Sequence, residues 1–385
     1  MRKATVQKVT FPAGRRVLAV SDIHGNLAFL KGLLEKVRFS TQDVLVLVGD
    51  LLEKGPESLA TLRYCMELGK SHTVYAVRGN CDDLLCRYLD SGGERDESFF
   101  HLYYEVWREK SLLAQMAGEA GLPLRGPEDM AQVRRVLPER FPGEVAYLRS
   151  MPIILESEHC FFVHGGIPRE DRLEELDAWS CMKNDDFLGQ GYAFSKWVIV
   201  GHWPVTLYRG DIPSAAPLIL PGRKIASIDG GCVLKADGQL NALILEDGGR
   251  GAFSWVAYDG LPVMVAGADQ EASKDPVNIR WGRDEVVVLE EGEELTLCRH
   301  VETGRVLPIL NDYLYRWKGK LRCEDSTDYR LPVTAGERLA VVRRLSDRAL
   351  VKKKGVTGWY FGSLEPADFV VSPPRAHQMQ KGEKI

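Results

Sequence analysis

The chain has 385 residues, of which 45% are hydrophobic and 27% are charged. This composition is typical of a globular protein and excludes extensive intrinsic disorder, and the length predicts two or three domains. Fifty Lys and Arg residues against 54 Asp and Glu residues give a formal net charge of −4. That balance argues against nucleic acid or an anionic membrane as an obligatory partner.

The beginning of the chain has no apolar run of the length of a signal peptide, and no stretch of 18 apolar residues occurs anywhere. We therefore expect a cytoplasmic protein. The eight cysteines include no C-x-x-C pair. We expect them to be core thiols, because this usage matches neither a disulfide framework nor a thiolate zinc site.

Short apolar runs that end in Gly, Asp, His or Asn recur along the first 250 residues. They occupy residues 15–26, 43–50, 73–80, 160–166, 196–203 and 224–231. Such runs predict buried β-strands, and residues 240–246 predict a closing strand. Between the first two runs, apolar residues recur at helical spacing at Leu27, Leu30, Leu33, Leu34 and Val37. The alternation of strand and helix predicts an α/β layered core over residues 1–265.

Residues 83–150 interrupt this pattern with long amphipathic segments and no strand-like runs. We interpret them as a helical insertion that forms a cap over the core and restricts substrate size. Residues 266–276 are small and polar, and they are predicted to be a linker between domains.

Short alternating strands with frequent turns characterise residues 278–371, which predicts a small antiparallel barrel or sandwich. Its final segment, GWYFGSLEP, resembles bacterial Src-homology-three-like modules. We expect this barrel to bind a protein partner or to position the protein. Residues 372–385 are predicted to be a flexible tail.

Polar side chains stand at the ends of the predicted strands of the core. They are Asp22, His24, Asp50, Asn80, His164 and His202. Ligands of α/β sheets bind outside the carboxyl ends of the strands, and this donor set suits Mn²⁺, Fe or Zn²⁺. Six donors exceed the needs of one ion and fit two, with Asp50 as the shared ligand. The alternative is that each residue only caps the helix that follows it.

These residues lie in motifs that resemble those of the calcineurin-like metallophosphoesterases, within them the bacterial phosphoprotein phosphatase branch. The motifs are SDIHGN, GDLLEKG, GNCD, VHGG and VGHWPV, and the resemblance covers about residues 15–250. It implies a four-layer αββα sandwich with two divalent metal ions, most often manganese, and hydrolysis by a hydroxide that both metals activate. One metal would be bound by Asp22, His24 and Asp50, and the other by Asp50, Asn80, His164 and His202.

Several positions depart from the phosphatase branch. Lys54 stands where that branch has an arginine, so the positive charge is kept without the planar guanidinium. Cys81 and Asp82 replace a His-Glu pair whose histidine protonates the leaving group, and they resemble the phosphodiesterase branch instead. Pro204 argues the other way, because the diesterase branch has a second histidine there. With Arg78, which precedes Gly79, we expect Lys54, Cys81 and Asp82 to be the catalytic residues beside the metals. The alternative for Arg78 is a structural ion pair.

Three functions remain open from the sequence. The first is a phosphomonoesterase similar to serine/threonine protein phosphatases, acting on a phosphorylated protein or a small phosphate ester. The second is a phosphodiesterase or dinucleotide-polyphosphate hydrolase on the same scaffold. The third is a metal-binding protein that recruits a partner without catalysis. A thiol at Cys81 is a poor acid, so we expect turnover to fall steeply as the pKa of the leaving group rises.

Overall fold

The computed structural model describes residues 2–367. The predicted tail, 372–385, and residues 368–371 of the predicted barrel lie outside the described residues. Up to residue 260, the α-helices are α1 (Leu27–Lys36), α2 (Ser58–Ser71), α3 (Asp83–Asp90), α4 (Asp96–Phe100), α5 (Leu112–Glu119), α6 (Met130–Arg140), α7 (Pro142–Ser150) and α8 (Ala178–Met182). The strands of the same region are β1 (Val6–Lys8), β2 (Val17–Val20), β3 (Val44–Val48), β4 (Thr73–Val77), β5 (Ile154–Glu156), β6 (Cys160–Val163), β7 (Trp197–Val200), β8 (Leu218–Leu220), β9 (Ile225–Ser227), β10 (Leu240–Leu245) and β11 (Phe253–Tyr258).

The strands predicted from apolar runs are all present, as β2, β3, β4, β6, β7, β9 and β10. They form two sheets, one in the order β1-β5-β6-β7-β9-β8 and the other in the order β11-β10-β2-β3-β4. The strands β2, β3 and β4 are parallel neighbours, as are β6, β7 and β9. Their carboxyl ends therefore lie at one edge of each sheet.

Both faces of the central strands are buried, which explains why these strands are continuous apolar runs. Val17 and Ala19 of β2 face the other sheet and pack with Phe162 and Ile199. Leu18, on the opposite side of β2, packs against the helices. A second group of buried residues, including those of α8, covers the outer face of β6 and β7. The order of layers is thus helix, sheet, sheet, helix.

The first helix begins where the sequence provides a cap. The side-chain oxygen of Asn26 accepts a hydrogen bond from the backbone N–H of Phe29 at 3.2 Å, which satisfies one of the free donors at the start of α1. The next residues, including Leu27, Leu30 and Leu33, are buried against the sheet. The motif SDIHGN therefore both ends a strand and begins a helix.

Residues 83–150 are helical, as predicted, and comprise α3 to α7. Their apolar residues share one core with α1, α2 and the outer face of β2 and β3. The start of α5 approaches the loop after β3, where the backbone N–H of Leu112 donates to Glu53 Oε2 at 2.9 Å. The helices thus pack beside α2, and their role as a cap over the site stays a prediction.

The remaining described residues are almost entirely β-structure. The strands are β12 (Val263–Ala266), β13 (Asn278–Ile279), β14 (Val286–Glu290), β15 (Leu295–His300), β16 (Val306–Leu310), β17 (Leu314–Trp317), β18 (Lys320–Cys323), β19 (Ser326–Thr327), β20 (Arg338–Arg344), β21 (Ala349–Lys353), β22 (Val356–Tyr360) and β23 (Leu364–Pro366). They form a sheet in the order β22-β21-β20-β12-β23, a sheet in the order β14-β15-β16, and the pairs β13-β19 and β17-β18. The all-β character agrees with the prediction, whereas a Src-homology-three-like barrel is not confirmed.

The segment predicted to be a linker is part of this β-region. Strand β12 pairs with β20 and β23, although the predicted boundary at residue 265 cuts through it. The Gln270 side chain donates to the carbonyl oxygens of Leu331 and Trp359 at 2.7 Å each. The domain division stays a prediction, and these contacts favour a boundary before Val263.

Hydrogen bonds connect the β-region to the layered core. Lys352 Nζ donates to the carbonyl oxygen of Asp237 at 2.7 Å, and the backbone N–H of Ala215 donates to the carbonyl oxygen of Gly355 at 2.8 Å. The eight cysteines all lie among residues 2–367, where each is buried and none forms a disulfide. Over the same residues, no helix has both the length and the hydropathy that a membrane span requires.

Candidate metal centre

The backbone bends sharply where the strands end. Among the six predicted ligands, Asp22, His24, Asp50 and His202 have left-handed backbone conformations, with φ values of 56°, 50°, 50° and 68°. This conformation is uncommon for residues other than glycine and costs about 1–3 kcal/mol at each position. Four strained residues at neighbouring strand ends indicate that the fold maintains them to place their side chains.

Asp50 lies at the centre of the predicted ligands. Its carboxylate oxygens are 3.9 Å from His24 Nε2 and 3.2 Å from His164 Nε2. Candidate ligand atoms of Asp50 lie within 4.8 Å of those of His24 and Cys81 in one group, and of His164 and His202 in another. Two groups of donors therefore share the Asp50 carboxylate.

Asp22 joins the two groups from the neighbouring strand end. Its Oδ1 atom is 3.8 Å from His24 Nε2 and 4.0 Å from His164 Nε2. Its other oxygen, Oδ2, accepts the backbone N–H of His202 at 3.0 Å. The carboxylate of Asp22 is thereby fixed with one oxygen directed at the histidines.

Three buried atoms of this cluster have no hydrogen-bond partner among residues 2–367. They are Asp22 Oδ1, Asn80 Oδ1 and His164 Nε2. Buried polar atoms are nearly always paired, so three unpaired lone-pair donors together fit the binding of a cation. The donor set of carboxylates, imidazoles and one amide oxygen suits a divalent transition metal.

The histidines are oriented by hydrogen bonds on their other ring nitrogen. His164 Nδ1 lies 2.8 Å from the carbonyl oxygen of Val48, and His24 Nδ1 lies 3.3 Å from that of Leu52. A carbonyl accepts only from an N–H group, so in the neutral form of each imidazole that binds a metal, the proton is on Nδ1 and Nε2 keeps its lone pair toward the cluster. His202 Nε2 instead contacts Asp185 Oδ1 at 2.7 Å. Its Nδ1 atom is therefore the ring nitrogen that is left to bind a metal.

Glycines allow the loops to approach the ligands closely. A Cβ atom on Gly79 would lie 2.2 Å from Asp50 Oδ1, and one on Gly201 would lie 2.4 Å from Asp22 Oδ2. Both distances are far below van der Waals contact, so no larger residue fits either position. The glycines of GNCD and VGHWPV are explained by this packing.

The electrostatics show carboxylates that lack a balancing charge. Burial raises the pKa of Asp22 well above its usual range, and the nearby Asp229 raises it further. Burial likewise raises the pKa of Asp229 to about 6. At His164, burial opposes the charge, but Asp50 and Asp22 raise the pKa to about 10. A bound cation would relieve the repulsion between these carboxylates.

Two of the predicted catalytic residues lie against the cluster. Cys81 is buried, and its backbone N–H donates to Asp50 Oδ1 at 2.8 Å. Burial and then Asp50 raise the pKa of the Cys81 thiol well above its usual value. Burial opposes the charge of Lys54, but Cys81, Asp50 and Asp22 raise its pKa and keep the ammonium protonated.

The other two predicted catalytic residues support the backbone. Asp82 accepts the backbone N–H of Leu51 through Oδ1 and that of Gly79 through Oδ2, at 2.9 Å each. It thereby connects the loops that carry Asp50 and Asn80. Arg78 donates to Asp83 Oδ1 at 3.0 Å and, in addition, to the carbonyl oxygens of Leu148 and Arg149 at 2.6 Å and 2.9 Å. Arg78 therefore holds the C-terminal end of α7.

Sequence reasoning missed residues of two kinds. Asp229 is fully buried, accepts the backbone N–H of Gly231 at 2.8 Å and leaves Oδ2 unpaired within the described chain. It follows the apolar part of the run 224–231, so the same sequence signal that predicted the six ligands was present here. Trp281 of the β-region carries no comparable local signal.

A pocket of about 370 Å³ lies beside the cluster. Its lining comes from four parts of the chain, which are the loop after β3, the segments after α8 and β7, the loop between β9 and β10, and the β-region. The residues are Lys54, Lys183, Asp185, His202, Trp203, Pro204, Leu207, Leu234, Lys235, Trp281, Glu324 and Asp325. None of these lining residues belongs to the helical insertion, 83–150.

Comparisons with known proteins agree on the core. A family model described as calcineurin-like phosphoesterase matches residues 15–224. A symmetrical bis(5'-nucleosyl)-tetraphosphatase from Shewanella sp. (strain W3-18-1) is 30% identical over 177 residues, which are 44% of this chain and 53% of that protein. A protein of the same description from Thioalkalivibrio sulfidiphilus is 49% identical over 67 residues, 17% of this chain and 24% of that protein. The matches thus span between about a quarter and about half of these relatives.

Solved structures show more distant similarity. A protein described as a candidate diadenosine tetraphosphatase aligns with 67% of this chain and 99% of its own, with 21% identity and a TM-score of 0.43. A serine/threonine phosphatase from Saccharomyces cerevisiae aligns with 67% of this chain and 85% of its own, with 11% identity and a TM-score of 0.41. Neither likeness is close enough to carry a conclusion about this chain.

Proposed function

The chain belongs to the calcineurin-like phosphoesterase family, and from this premise we propose that it is a metal-dependent hydrolase of phosphoanhydride bonds in nucleotide substrates. The observation that carries the hydrolase assignment is the set of unpaired, buried donor atoms around Asp50. The specific substrate class is the dinucleoside polyphosphates.

We assign the metal ligands as the sequence predicted them. Asp22, His24 and Asp50 would bind one divalent ion, and Asp50, Asn80, His164 and His202 the second, with Mn²⁺ as the preferred metal. Such a pair of cations supplies a nucleophile from water at neutral pH and stabilises negative charge on the phosphoryl oxygens. Cys81 lies near enough to contact the same ions.

The side chains around the ligands bind and orient the phosphate. Lys54 is charged, largely buried and adjacent to the cluster, so it is placed to bind a phosphoryl oxygen and to offset charge that develops during the reaction. Asp82 keeps Asp50 and Asn80 in register through its two backbone hydrogen bonds. Arg78 is engaged with α7, so we assign it a structural role and leave phosphate binding to Lys54.

Two observations favour an anhydride substrate. The curated relatives that match parts of this chain are described as symmetrical bis(5'-nucleosyl)-tetraphosphatases. In addition, the position next to Asn80 holds a thiol, where the protein phosphatase branch would have a histidine acid. A phosphoanhydride releases a phosphate, which is a stable anion and needs no proton from the enzyme, whereas phosphoserine releases an alkoxide.

Hydrolysis of phosphomonoesters, including serine/threonine protein phosphatase activity, is the second candidate. Pro204 favours it, because it lines the pocket at the position where the diesterase branch carries a second histidine. The two candidates differ in the leaving group, and one assay series separates them.

The test measures product formation by the full chain with added Mn²⁺: nucleotides from the dinucleotide by chromatography, p-nitrophenol from the aryl esters by absorbance, and inorganic phosphate from the peptide. The substrates are diadenosine tetraphosphate, p-nitrophenyl phosphate, bis(p-nitrophenyl) phosphate and a phosphoserine peptide. We expect diadenosine tetraphosphate to be the best substrate and the phosphoserine peptide the poorest. Preference for the peptide would support the second candidate, and metal binding without turnover of any substrate would support the partner-recruiting alternative.

A further inference from the structure

A tight turn of the β-region places a tryptophan in the lining of the pocket beside the metal-ligand cluster. The turn consists of Arg280, Trp281, Gly282 and Arg283, and the backbone N–H of Arg283 donates to the carbonyl oxygen of Arg280 at 2.9 Å. Gly282 has a φ of 84°, the conformation that the third residue of a type II turn requires. Trp281 occupies the preceding corner, where its side chain points away from the turn.

Direct hydrogen bonds fix this turn beside the core. The backbone N–H of Asn278 donates to the carbonyl oxygen of Gly210 at 3.0 Å, and its side chain donates to that of Arg209 at 2.9 Å. These acceptors lie within eight residues of His202. On the other side, the backbone N–H of Trp281 donates to Asp325 Oδ1 at 3.1 Å, and Asp325 pairs with Lys235.

The indole of Trp281 has no partner that covers it. It is 62% exposed, although a tryptophan normally buries most of its surface. Its one aromatic neighbour among the described residues is Trp203, in an edge-to-face contact with a centroid distance of 5.8 Å and an interplanar angle of 75°. In an edge-to-face contact, one ring presents its edge to a face of the other ring. The ring that presents its edge therefore has no contact with its partner on either of its own faces.

The charges along the pocket are unevenly distributed. Lys54 lies beside the metal-ligand cluster, and the Lys183–Asp185 pair contacts His202. Near Trp281, the pocket carries Glu324 and the ion pair of Asp325 with Lys235, and Arg280 and Arg283 flank Trp281 in the turn. The end at the cluster thus favours the phosphate of a substrate, whereas the Trp281 end offers an exposed indole and the carboxylate of Glu324 to a planar group that can donate hydrogen bonds.

We propose that Trp281 and Trp203 form a subsite for the nucleobase of the substrate, so that the β-region completes the active site and determines its preference for nucleotides. A base stacked on Trp281 would have Glu324 beside it as an acceptor for an amino group. This inference rests on the proposed function and adds the residues that recognise the nucleoside part. Bases of every kind have an aromatic face, so the subsite selects for a base rather than for one base.

Binding measurements test the subsite without relying on turnover. The full chain, loaded with Mn²⁺, is titrated calorimetrically with AMP and with ribose 5-phosphate, which carries the same phosphate and no base. We expect wild type to bind AMP roughly 5- to 150-fold more tightly, the range that base stacking on an aromatic side chain provides. Trp281→Ala should remove this preference, and Trp281→Phe should keep part of it.

Trp317→Ala is the matched control, since Trp317 is 51% exposed in the same β-region and does not line the pocket. It should bind AMP as wild type does, and all variants should keep the melting temperature of wild type. Equal binding of AMP and ribose 5-phosphate by wild type would overturn the inference. An AMP preference that persists in folded Trp281→Ala would also overturn it.

A kinetic comparison separates this inference from the proposed function. In Trp281→Ala, we expect kcat/KM for diadenosine tetraphosphate to fall by the same factor as AMP affinity, while that for inorganic tripolyphosphate stays unchanged. If wild type hydrolyses no phosphate compound, the proposed function fails. The AMP to ribose 5-phosphate ratio then still decides whether Trp281 binds a base.

Discussion

The two walls of the pocket are built by opposite physical means. The metal-ligand wall is backed by buried strand ends from residues 15–231, with strained backbone and unpaired donor atoms, and His202 is the predicted ligand that lines the pocket itself. The facing wall comes from the β-region and presents an exposed indole on a short turn. The metal-ligand wall contains unfavourable backbone conformations and buried unpaired polar atoms, which the surrounding core holds in place. The facing wall is a surface element that a few hydrogen bonds attach to the core.

This difference predicts different consequences of mutation. Changes in the metal-ligand wall should remove the reaction itself, because each donor atom there has a role that no neighbour can replace. Changes in the facing wall should alter which substrates bind and leave hydrolysis of small phosphates intact. The predictions that follow test this division, beginning with the largest effect.

Asp50→Asn should abolish the reaction. A neutral amide cannot balance two dications, so we expect loss of bound metal and a fall in kcat of at least about 10²–10³-fold, the scale for loss of one electrostatic stabiliser. Metal content by mass spectrometry and turnover of p-nitrophenyl phosphate are the measurements.

Asp43→Asn is the control for this change. Asp43 is a buried aspartate at the start of β3, whereas Asp50 is a buried aspartate after the end of the same strand. The Asp43 carboxylate accepts two hydrogen bonds from Arg16 at 2.9 Å each, far from the ligands. This variant should lose stability and keep its metal and its activity. Two bound metals and near-normal turnover in Asp50→Asn would contradict the assignment of Asp50 as the shared ligand.

Cys81→His should change the dependence of the rate on the leaving group. The wild-type rate across substituted phenyl phosphates should fall steeply as the pKa of the leaving phenol rises, because the position of the histidine acid holds the thiol of Cys81, which is a poor acid. Supplying a histidine should raise turnover of a phosphoserine peptide by up to about 10²-fold, the lower range of general acid catalysis.

Cys81→Ser is the control for the histidine variant, since it preserves the size of the side chain without adding an acid. It should show the same leaving-group dependence as wild type. If wild type shows no such dependence and Cys81→His gains nothing on phosphoserine, a missing acid does not explain the substrate preference.

The metal-ligand wall could be predicted from sequence because its signal is local. Each predicted ligand follows an apolar run, and parallel strands bring such ends together whatever the details of packing. The same rule applies to Asp229. The run 224–231 predicts a strand, and Asp229 follows its apolar residues as the predicted ligands follow theirs. The layered core and the helical character of residues 83–150 follow from periodicity in the same way.

The facing wall could not be predicted because its contacts join distant segments. Nothing in the sequence around Trp281 indicates that Asn278 binds the loop at 209–210. A structural ion pair was one of the alternatives for Arg78, but its acceptors Leu148 and Arg149 could not be predicted, since they lie about 70 residues away along the chain. The separation of the β-region into several sheets likewise depends on pairings that alternating patterns do not specify.

Lys352→Met should weaken the attachment of the facing wall. Lys352 is buried between the carbonyl oxygen of Asp237, at 2.7 Å, and the carboxylate of Asp259, at 3.3 Å. Its removal should lower the melting temperature and reduce the affinity for AMP by less than Trp281→Ala does. Turnover of p-nitrophenyl phosphate at saturation should not change.

Lys353→Met is the control for attachment, since Lys353 contacts Pro332 and Glu337 within the β-region. It should affect neither AMP affinity nor turnover. A large loss of p-nitrophenyl phosphate turnover in folded Lys352→Met would break the division between the walls, because it would show that the metal-ligand wall depends on the β-region.

Arg78→Met should have the smallest effect on the reaction and a clear effect on stability. The Arg78 guanidinium satisfies two carbonyl oxygens at the end of α7, together with Asp83. Asp83 also pairs with Arg2 at 2.8 Å, so its charge keeps a partner in the variant.

Loss of the buried contacts of Arg78 should destabilise the fold by up to about 3–5 kcal/mol, the range for breaking a buried ion pair. If Arg78 bound phosphate instead, kcat would fall about 10²-fold or more with little change in melting temperature. Thermal denaturation and steady-state kinetics on one preparation distinguish the two roles. Loss of a residue that anchors α7 mainly lowers the melting temperature, whereas loss of a phosphate-binding residue mainly lowers kcat.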